Sequence, residues 1–102
     1  MEAARLVMSW DIQDGKERAC IAFMVSDFGP GLLRLGCRIS DAWYTQAGNG
    51  PRMLLFGEVG SVEQTRALLA TADFMRLRDR LLDYAEDFAC RIARPAGGGF
   101  QF

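Results

Sequence analysis

Hydrophobic and polar residues alternate through residues 38–45, and a second alternating segment follows at residues 52–59. A period of two predicts a β-strand with one buried face. The glycine-rich sequence at residues 48–51 predicts a tight turn, so the two strands form a hairpin. Trp43 and Tyr44 are neighbours on the first strand, and neighbouring strand residues point to opposite faces of a sheet. One of these aromatic side chains should therefore face the helices, and the other should face away from them.

Residues 5–12 and residues 88–94 alternate in the same way and predict the first and last strands. In the first of them, Trp10 lies on the face that carries the large apolar residues. Asp11 shares the opposite face with Arg5, where we expect an exposed or arginine-paired carboxylate.

The segment at residues 16–28 is compatible with two structures. The hairpin signal Asp14-Gly15 and the apolar run at residues 19–25 suit a buried strand. Five apolar residues recur at the spacing of one helical face: Ile21, Met24, Val25, Phe28 and Leu32. We therefore favour a helix, which gains one further turn before Gly36 ends it.

A second helical segment is predicted after Gly60. Ser61 followed by Gln64 is a capping-box signature for a helix start. Asp73 has the chemistry of a second N-cap, which indicates a second helix or a kinked continuation. The residues expected to face inward from these helices are Leu68, Leu69, Ala72, Phe74, Leu77, Leu81 and Tyr84.

The predicted order of elements is strand, helix, strand, strand, helix, strand. This is the βαββαβ arrangement of a ferredoxin-like α+β sandwich with a four-stranded antiparallel sheet. We expect one domain at residues 1–95 and a flexible C-terminal tail at residues 96–102.

Both helical segments cover the same face of the predicted sheet, so the chain leaves the other face open. The residues predicted on the open face are largely apolar: Val7, Ala42, Tyr44, Leu54 and Phe56. An apolar face of this kind usually meets a partner. The simplest partner is a second copy related by a two-fold axis, so we expect a homodimer.

Composition narrows the possible chemistry. The chain has 102 residues, a formal net charge of −1 and no histidine. The charge balance argues against nucleic-acid and membrane partners, and the lack of histidine excludes histidine bases, metal ligands and haem ligands. The three cysteines have no metal-binding or disulfide spacing, which suits a reducing compartment. We therefore expect a cytoplasmic protein that carries no metal or other cofactor.

Five stretches together resemble small bacterial proteins of the dimeric α+β barrel superfamily. They are Gly31-Leu32-Leu33-Arg34-Leu35-Gly36, Ser40-Asp41-Ala42-Trp43-Tyr44-Thr45, Leu81-Leu82-Asp83-Tyr84, Arg91 and Phe100-Gln101-Phe102. The resemblance implies two ferredoxin-like subunits that pair face to face into an eight-stranded barrel. It also implies a range of activities, because the superfamily includes stress-responsive barrel proteins, haem-dependent members and cofactor-free monooxygenases of the antibiotic-biosynthesis type. The haem-dependent members typically use a histidine ligand, which this chain lacks.

Six residues are candidates for contact with a ligand: Trp10, Arg38, Asp41, Trp43, Tyr44 and Arg52. Aromatic residues on strands more often pack in a core or an interface. Tyr44 carries a hydroxyl that could orient a planar molecule, and the arginines could steady a developing anion. Asp41 shares its predicted face with Ile39 and Trp43; burial against Trp43 would raise its pKa and make it a base.

Three functions remain open from the sequence, and the lack of histidine and of a metal or cofactor motif favours the first of them over catalysis. The first is binding of a small apolar or aromatic molecule in a cleft roofed by the two helical segments. The second is a cofactor-independent monooxygenase that uses Tyr44, Trp10 or an arginine. The third is a structural dimer module without a ligand, and no catalytic residue is assigned in any of the three.

Overall fold

The computed structural model describes residues 4–47 and 50–94. The predicted tail at residues 96–102 and the tip of the predicted turn, residues 48 and 49, lie outside this range. Four strands run through the described chain: β1 (Ala4–Ile12), β2 (Arg38–Ala47), β3 (Gly50–Val59) and β4 (Ala85–Ala93). They pair antiparallel in the order β2-β3-β1-β4. The predicted ferredoxin-like α+β fold is confirmed.

The helix predicted after the first strand is also confirmed. It consists of α1 (Glu17–Phe23), a π-helical turn (Met24–Phe28) and α2 (Gly29–Arg34). The proline in Gly29-Pro30-Gly31 stands in the first turn of α2, directly after the π-helical turn. Because proline has no N–H to donate to the preceding helical turn, it accounts for a departure from regular α-helical bonding at this point. At the other end, Gly36 has φ +98° and donates to the Leu33 carbonyl, while Cys37 donates to the Leu32 carbonyl. These are the two bonds of a Schellman motif, which only a left-handed residue such as glycine closes easily.

The second helical segment consists of α3 (Val62–Leu69) and α4 (Ala72–Leu81). Ser61 caps α3 as predicted, and its hydroxyl accepts from the backbone N–H of Gln64 at 3.1 Å. The cap predicted at Asp73 is wrong. Thr71 caps α4 instead, accepting from Phe74 N–H at 3.0 Å, so Asp73 falls within the first turn and pairs with Arg76.

The core lies between the helices and one face of the sheet. Its fully buried hydrophobic side chains are Leu6, Met8, Trp10, Cys20, Phe28, Leu32, Cys37 and Leu81. Of the residues predicted to face inward from the second helical segment, Ala72 is exposed and Tyr84 lies beyond the end of α4. The molecule is 18 Å thick, which fits one helix layer on one sheet. No helix in residues 4–47 or 50–94 is long and apolar enough to cross a membrane.

Two β-bulges adjust which side chains face the helices. In β2, Ser40 is an extra residue between the pairs Ile39–Gly57 and Asp41–Phe56, and its hydroxyl donates to the Phe56 carbonyl at 3.2 Å. In β4 the pairing with β1 also shifts beside Asp87, which has φ +55°. An extra residue moves every later side chain to the opposite face.

A glycine on β3 allows the end of the first helical segment to pack closely on the sheet. A methyl group on Gly57 would overlap the buried Cys37 sulfur. We expect Gly57→Ala to lower the free energy of unfolding by about 1–3 kcal/mol through overpacking. Adding Cys37→Ala should leave room for the methyl group, so the double variant should lose less than the sum of the two single losses. Urea unfolding measures both effects.

Gly60→Ala is the matched control for this prediction. A methyl group there meets only the side chain of Gln64, which is exposed and can move away. It should change the free energy of unfolding by less than about 1 kcal/mol. Equal losses at Gly57 and Gly60, or strict additivity with Cys37→Ala, would contradict the packing explanation.

Candidate functional site

The sheet face opposite the helices carries four side chains from each strand. Alternation and the pairing register place them in four rows that cross the sheet in the order β2, β3, β1, β4. The rows are Thr45–Arg52–Asp11–Glu86, Trp43–Leu54–Ser9–Ala89, Asp41–Phe56–Val7–Arg91 and Arg38–Glu58–Arg5–Ala93. We call this surface the open face.

The two middle rows give the open face an apolar centre, which consists of Val7, Trp43, Leu54 and Phe56. Trp43 is 58% exposed although it is the largest side chain on this surface. Leu54 lies directly across from it, and Phe56 lies across from Val7. Contiguous apolar side chains from three strands form the kind of surface that usually meets a partner.

Charged residues occupy the two outer rows and form ion pairs within the chain. Arg52 Nη1 donates to Asp11 Oδ1 at 2.6 Å, and Arg52 Nη2 donates to the Ser9 hydroxyl at 3.3 Å. At the other end of the face, Glu58 pairs with both Arg38 and Arg5. These pairs are partly exposed and contribute little to stability. They do surround the apolar centre with a polar rim, which is the usual anatomy of a protein interface.

Four of the six predicted candidates are brought together on the open face: Arg38, Asp41, Trp43 and Arg52. The predicted faces of four residues were wrong. Ala42 and Tyr44 were expected on the open face, and Asp41 and Trp43 on the opposite face together with Ile39. The bulge at Ser40 turns Ala42 and Tyr44 to the helix side and turns Asp41 and Trp43 to the open face.

Trp10 lies apart from these residues, inside the core. Its indole packs edge-on against Phe28, with ring centroids 5.8 Å apart, and stacks on Phe88 at 6.0 Å. The indole nitrogen is buried without an oxygen or nitrogen acceptor, and the Cys20 thiol is its polar neighbour. Burial raises the pKa of Cys20, and the hydrogen bond with Trp10 partly offsets that rise. The Trp10 side chain is therefore part of the hydrophobic core.

Tyr44 lies on the helix side of β2, the edge strand, and is 40% exposed. Its hydroxyl accepts from the side-chain amide of Gln46 at 3.3 Å. Trp10 and Tyr44 therefore do not share a surface with the other four candidates. The roles predicted for the six residues in ligand contact stay predictions.

A groove of about 450 Å³ lies where the two helical segments meet the end of β3. Its lining is mostly apolar or small: Leu35, Gly36, Val59, Gly60, Gln64, Ala67, Leu68 and Thr71. We call it the apolar groove. It occupies the position of the predicted cleft, roofed by the first and second helical segments, although none of the six predicted residues lines it.

A second groove of about 380 Å³ lies between α2 and α4 and also includes Leu35. Arg34, Arg76 and Arg80 line it. The guanidinium of Arg80 lies 5.0 Å from the centre of the Phe23 ring, and its Nη2 donates to Asp27 at 3.0 Å. The neighbouring Ser26 hydroxyl and Arg80 hold the pKa of Asp27 below its usual value.

The lining of the apolar groove was not predicted because it comes from two segments that are distant in the sequence, residues 35–36 and residues 59–71. The available signal was the pair of glycines: Gly36 ends the first helical segment and Gly60 precedes α3. Neither glycine has a side chain, so the place where they approach each other in space has room for a groove. Their meeting depends on the sheet register, which the sequence alone does not reveal.

The described residues contain no group of three or more cysteine and acidic side chains placed to hold a metal ion. Cys20 and Cys37 are buried, and Cys90 is exposed on β4. Burial raises the pKa of the Cys37 thiol to about 11, so this thiol is protonated at neutral pH.

The sequence matches no protein-family model, and no curated protein is detectably similar to it. Solved structures do match. An uncharacterised NIPSNAP domain protein from Burkholderia xenovorans aligns with a TM-score of 0.67 at 17% identity, over 96% of this chain and 99% of that chain. A NIPSNAP family protein of unknown function from Agrobacterium tumefaciens aligns with a TM-score of 0.70 at 12% identity, over 96% and 92%.

A protein from Nitrosomonas europaea, assigned provisionally to antibiotic biosynthesis monooxygenases, aligns with a TM-score of 0.62 at 14% identity. The alignment covers 96% of this chain and 92% of that chain. At these identities the likeness establishes the fold alone. The predicted resemblance to ferredoxin-like α+β proteins of this kind is therefore confirmed as a likeness of fold.

Proposed function

We propose that this chain is a homodimeric binding protein. Two copies join through the open face, and each copy binds a small apolar or aromatic molecule in its apolar groove. The observation that carries the proposal is the apolar centre of the open face, where Trp43 is 58% exposed beside Leu54 and Phe56.

The composition of the open face supports a homodimer. A stable interface buries roughly 800 Å² on each partner and combines an apolar core with a polar rim. The open face has this composition, because Val7, Trp43, Leu54 and Phe56 form its centre and ion pairs lie at both ends. Two such sheets would pack about 10 Å apart.

The apolar groove supports binding of a small molecule. Its volume of about 450 Å³ falls within the range of ligand sites, roughly 300–1,000 Å³. Leu35, Val59 and Leu68 supply apolar contacts, while the Gln64 amide and the Thr71 hydroxyl supply polar groups. Such a lining suits an aromatic ring that carries one hydrogen-bonding substituent.

Binding is favoured over oxygenation because the apolar groove has no titratable side chain among its described lining residues. A cofactor-independent monooxygenase must remove a proton from its substrate and stabilise the anion that forms. The Gln64 amide could stabilise an anion, but it is not a base at neutral pH. The Thr71 hydroxyl already donates its proton to the Leu68 carbonyl at 2.8 Å. Oxygen uptake in the presence of anthrone tests this alternative, and turnover of anthrone would replace the binding proposal with the enzymatic one.

The ligand half of the proposal is tested by equilibrium dialysis against 1-naphthol. We expect saturable binding of one molecule per chain. Ala67→Trp places an indole at the exposed edge of the groove and should weaken binding at least about tenfold, which corresponds to ~1.4 kcal/mol.

Ala22→Trp is the matched control, because Ala22 is an exposed alanine on α1 that lines neither groove. It should bind 1-naphthol as the unaltered chain does. Unsaturable binding, or equal affinity in both tryptophan variants, would rule out the apolar groove as the site.

A further inference from the structure

Asp41 and Arg91 stand at opposite edges of the open face in one row. Cross-strand pairs connect Asp41 to Phe56, Phe56 to Val7 and Val7 to Arg91, so the row spans all four strands. Both end residues are exposed. Within the part of the chain that the structure describes, neither has an ion-pair partner, whereas Asp11 and Glu58 on the same face are both paired.

A homodimer that packs two open faces has its two-fold axis in the plane between the sheets. If the axis runs parallel to the strands, it places β2 over β4 of the partner and β3 over β1 of the partner, with each row facing the same row. If the axis runs across the strands, each strand lies over its own counterpart, and the order of rows is reversed. The two arrangements therefore bring different side chains together.

With the axis parallel to the strands, the carboxylate of Asp41 faces the guanidinium of the partner subunit's Arg91. In the neighbouring row Trp43 faces the partner subunit's Ala89, so the largest side chain of the face meets one of the smallest. Opposite charges therefore meet at the ends of one middle row, and large and small side chains meet in the other. This is the complementarity that tight interfaces show at their centres.

Opposite charges also meet in the two outer rows when the axis is parallel to the strands. Arg52 faces the partner subunit's Asp11 in one outer row, and Glu58 faces the partner subunit's Arg5 in the other. The pairs inside each chain thus become parts of larger alternating networks across the interface. Charge networks of this kind fix register and orientation more than they add affinity.

The other axis gives a poor match in the middle rows. Trp43 would cover the partner subunit's Asp41, and Ala89 would face the partner subunit's Arg91. Two carboxylates and two guanidinium groups per dimer would lose part of their hydration without gaining an ionic partner, which is unfavourable.

We infer that the homodimer has its two-fold axis parallel to the strands, with Asp41 of each copy paired with Arg91 of the other. This inference rests on the proposed homodimer and specifies its interface. The occupant of the open face is a second copy of this chain. The row from Asp41 to Arg91 has a negative charge at one end and a positive charge at the other, so two copies of it complement each other when one is reversed.

Charge reversal tests the pairing. Asp41→Arg and Arg91→Asp should each raise the dimer dissociation constant at least about tenfold, because each places like charges opposite each other at two symmetric positions. The double variant exchanges the two charges and should return the dissociation constant to within about threefold of its original value. Sedimentation equilibrium measures all three.

Two reversals away from the open face serve as matched controls. Asp79→Arg on α4 and Arg18→Asp on α1 alter exposed residues on helices, which lie on the covered side of the sheet. Neither should change the dissociation constant by more than about threefold.

The possible results distinguish the Asp41–Arg91 pairing from the proposed homodimer on which it rests. An unaltered chain that is monomeric would overturn both. A dimer that is insensitive to the single reversals, or that the double variant fails to restore, would overturn the Asp41–Arg91 pairing and leave the homodimer intact.

Discussion

Trp43→Asp is expected to convert the homodimer into a monomer. The substitution removes the largest apolar side chain of the open face and places a carboxylate at its apolar centre. Aromatic residues at interface centres each contribute at least about 2 kcal/mol to the free energy of binding. Because the dimer is symmetric, this contribution is lost from both subunits. The dimer dissociation constant should therefore rise at least about a hundredfold. Light scattering after size-exclusion chromatography should give a mass near 11.3 kDa.

Tyr44→Asp is the matched control for Trp43→Asp. Tyr44 is the adjacent aromatic residue on the same edge strand, but it faces the helix side and is 40% exposed. The change places the same carboxylate in the same strand and should leave the dimer intact. If both variants remain dimeric, or if both become monomeric, the open face is not the interface.

Trp10→Ala is expected to have the largest effect on stability. Trp10 is fully buried between Phe28 and Phe88, so the substitution leaves a cavity that the sheet and helices cannot close. Truncations of this size lower the free energy of unfolding by about 3–5 kcal/mol. Urea denaturation followed by circular dichroism measures the loss.

Trp10→Phe keeps this prediction testable if the alanine variant fails to fold. Phenylalanine retains an aromatic ring between Phe28 and Phe88 and removes the indole N–H, which has no oxygen or nitrogen acceptor. Its loss should be below about 2 kcal/mol. Unaltered stability in the alanine variant, together with a loss of 1-naphthol binding, would instead make Trp10 a ligand contact.

The fold was predictable because each element has a local signature. In the first helical segment, the local pattern was sufficient even though the segment was ambiguous. Its apolar residues also suit a strand, yet the helical spacing of Ile21, Met24 and Val25 gave the correct structure, and Gly36 marked its end. The cap at Ser61 was equally local. Thr71 and Asp73 both have cap chemistry, and only the backbone geometry of the turn decides between them.

The open face was predictable only in part, because one extra residue in β2 changes which of its side chains lie on that face. Val7, Leu54 and Phe56 were placed correctly, since β1 and β3 pair without interruption. The bulge at Ser40 has no clear sequence signature, and it exchanges the faces of Tyr44 and Trp43. A cleft between the two helical segments was expected, but the residues that line the apolar groove could not be predicted, because they come together only through the sheet register.

Sedimentation equilibrium of the unaltered chain at micromolar concentration tests the proposed homodimer most directly. The chain mass is 11.3 kDa, and we expect a species of twice that mass that dissociates only on strong dilution. A single species at 11.3 kDa across the micromolar range would contradict it.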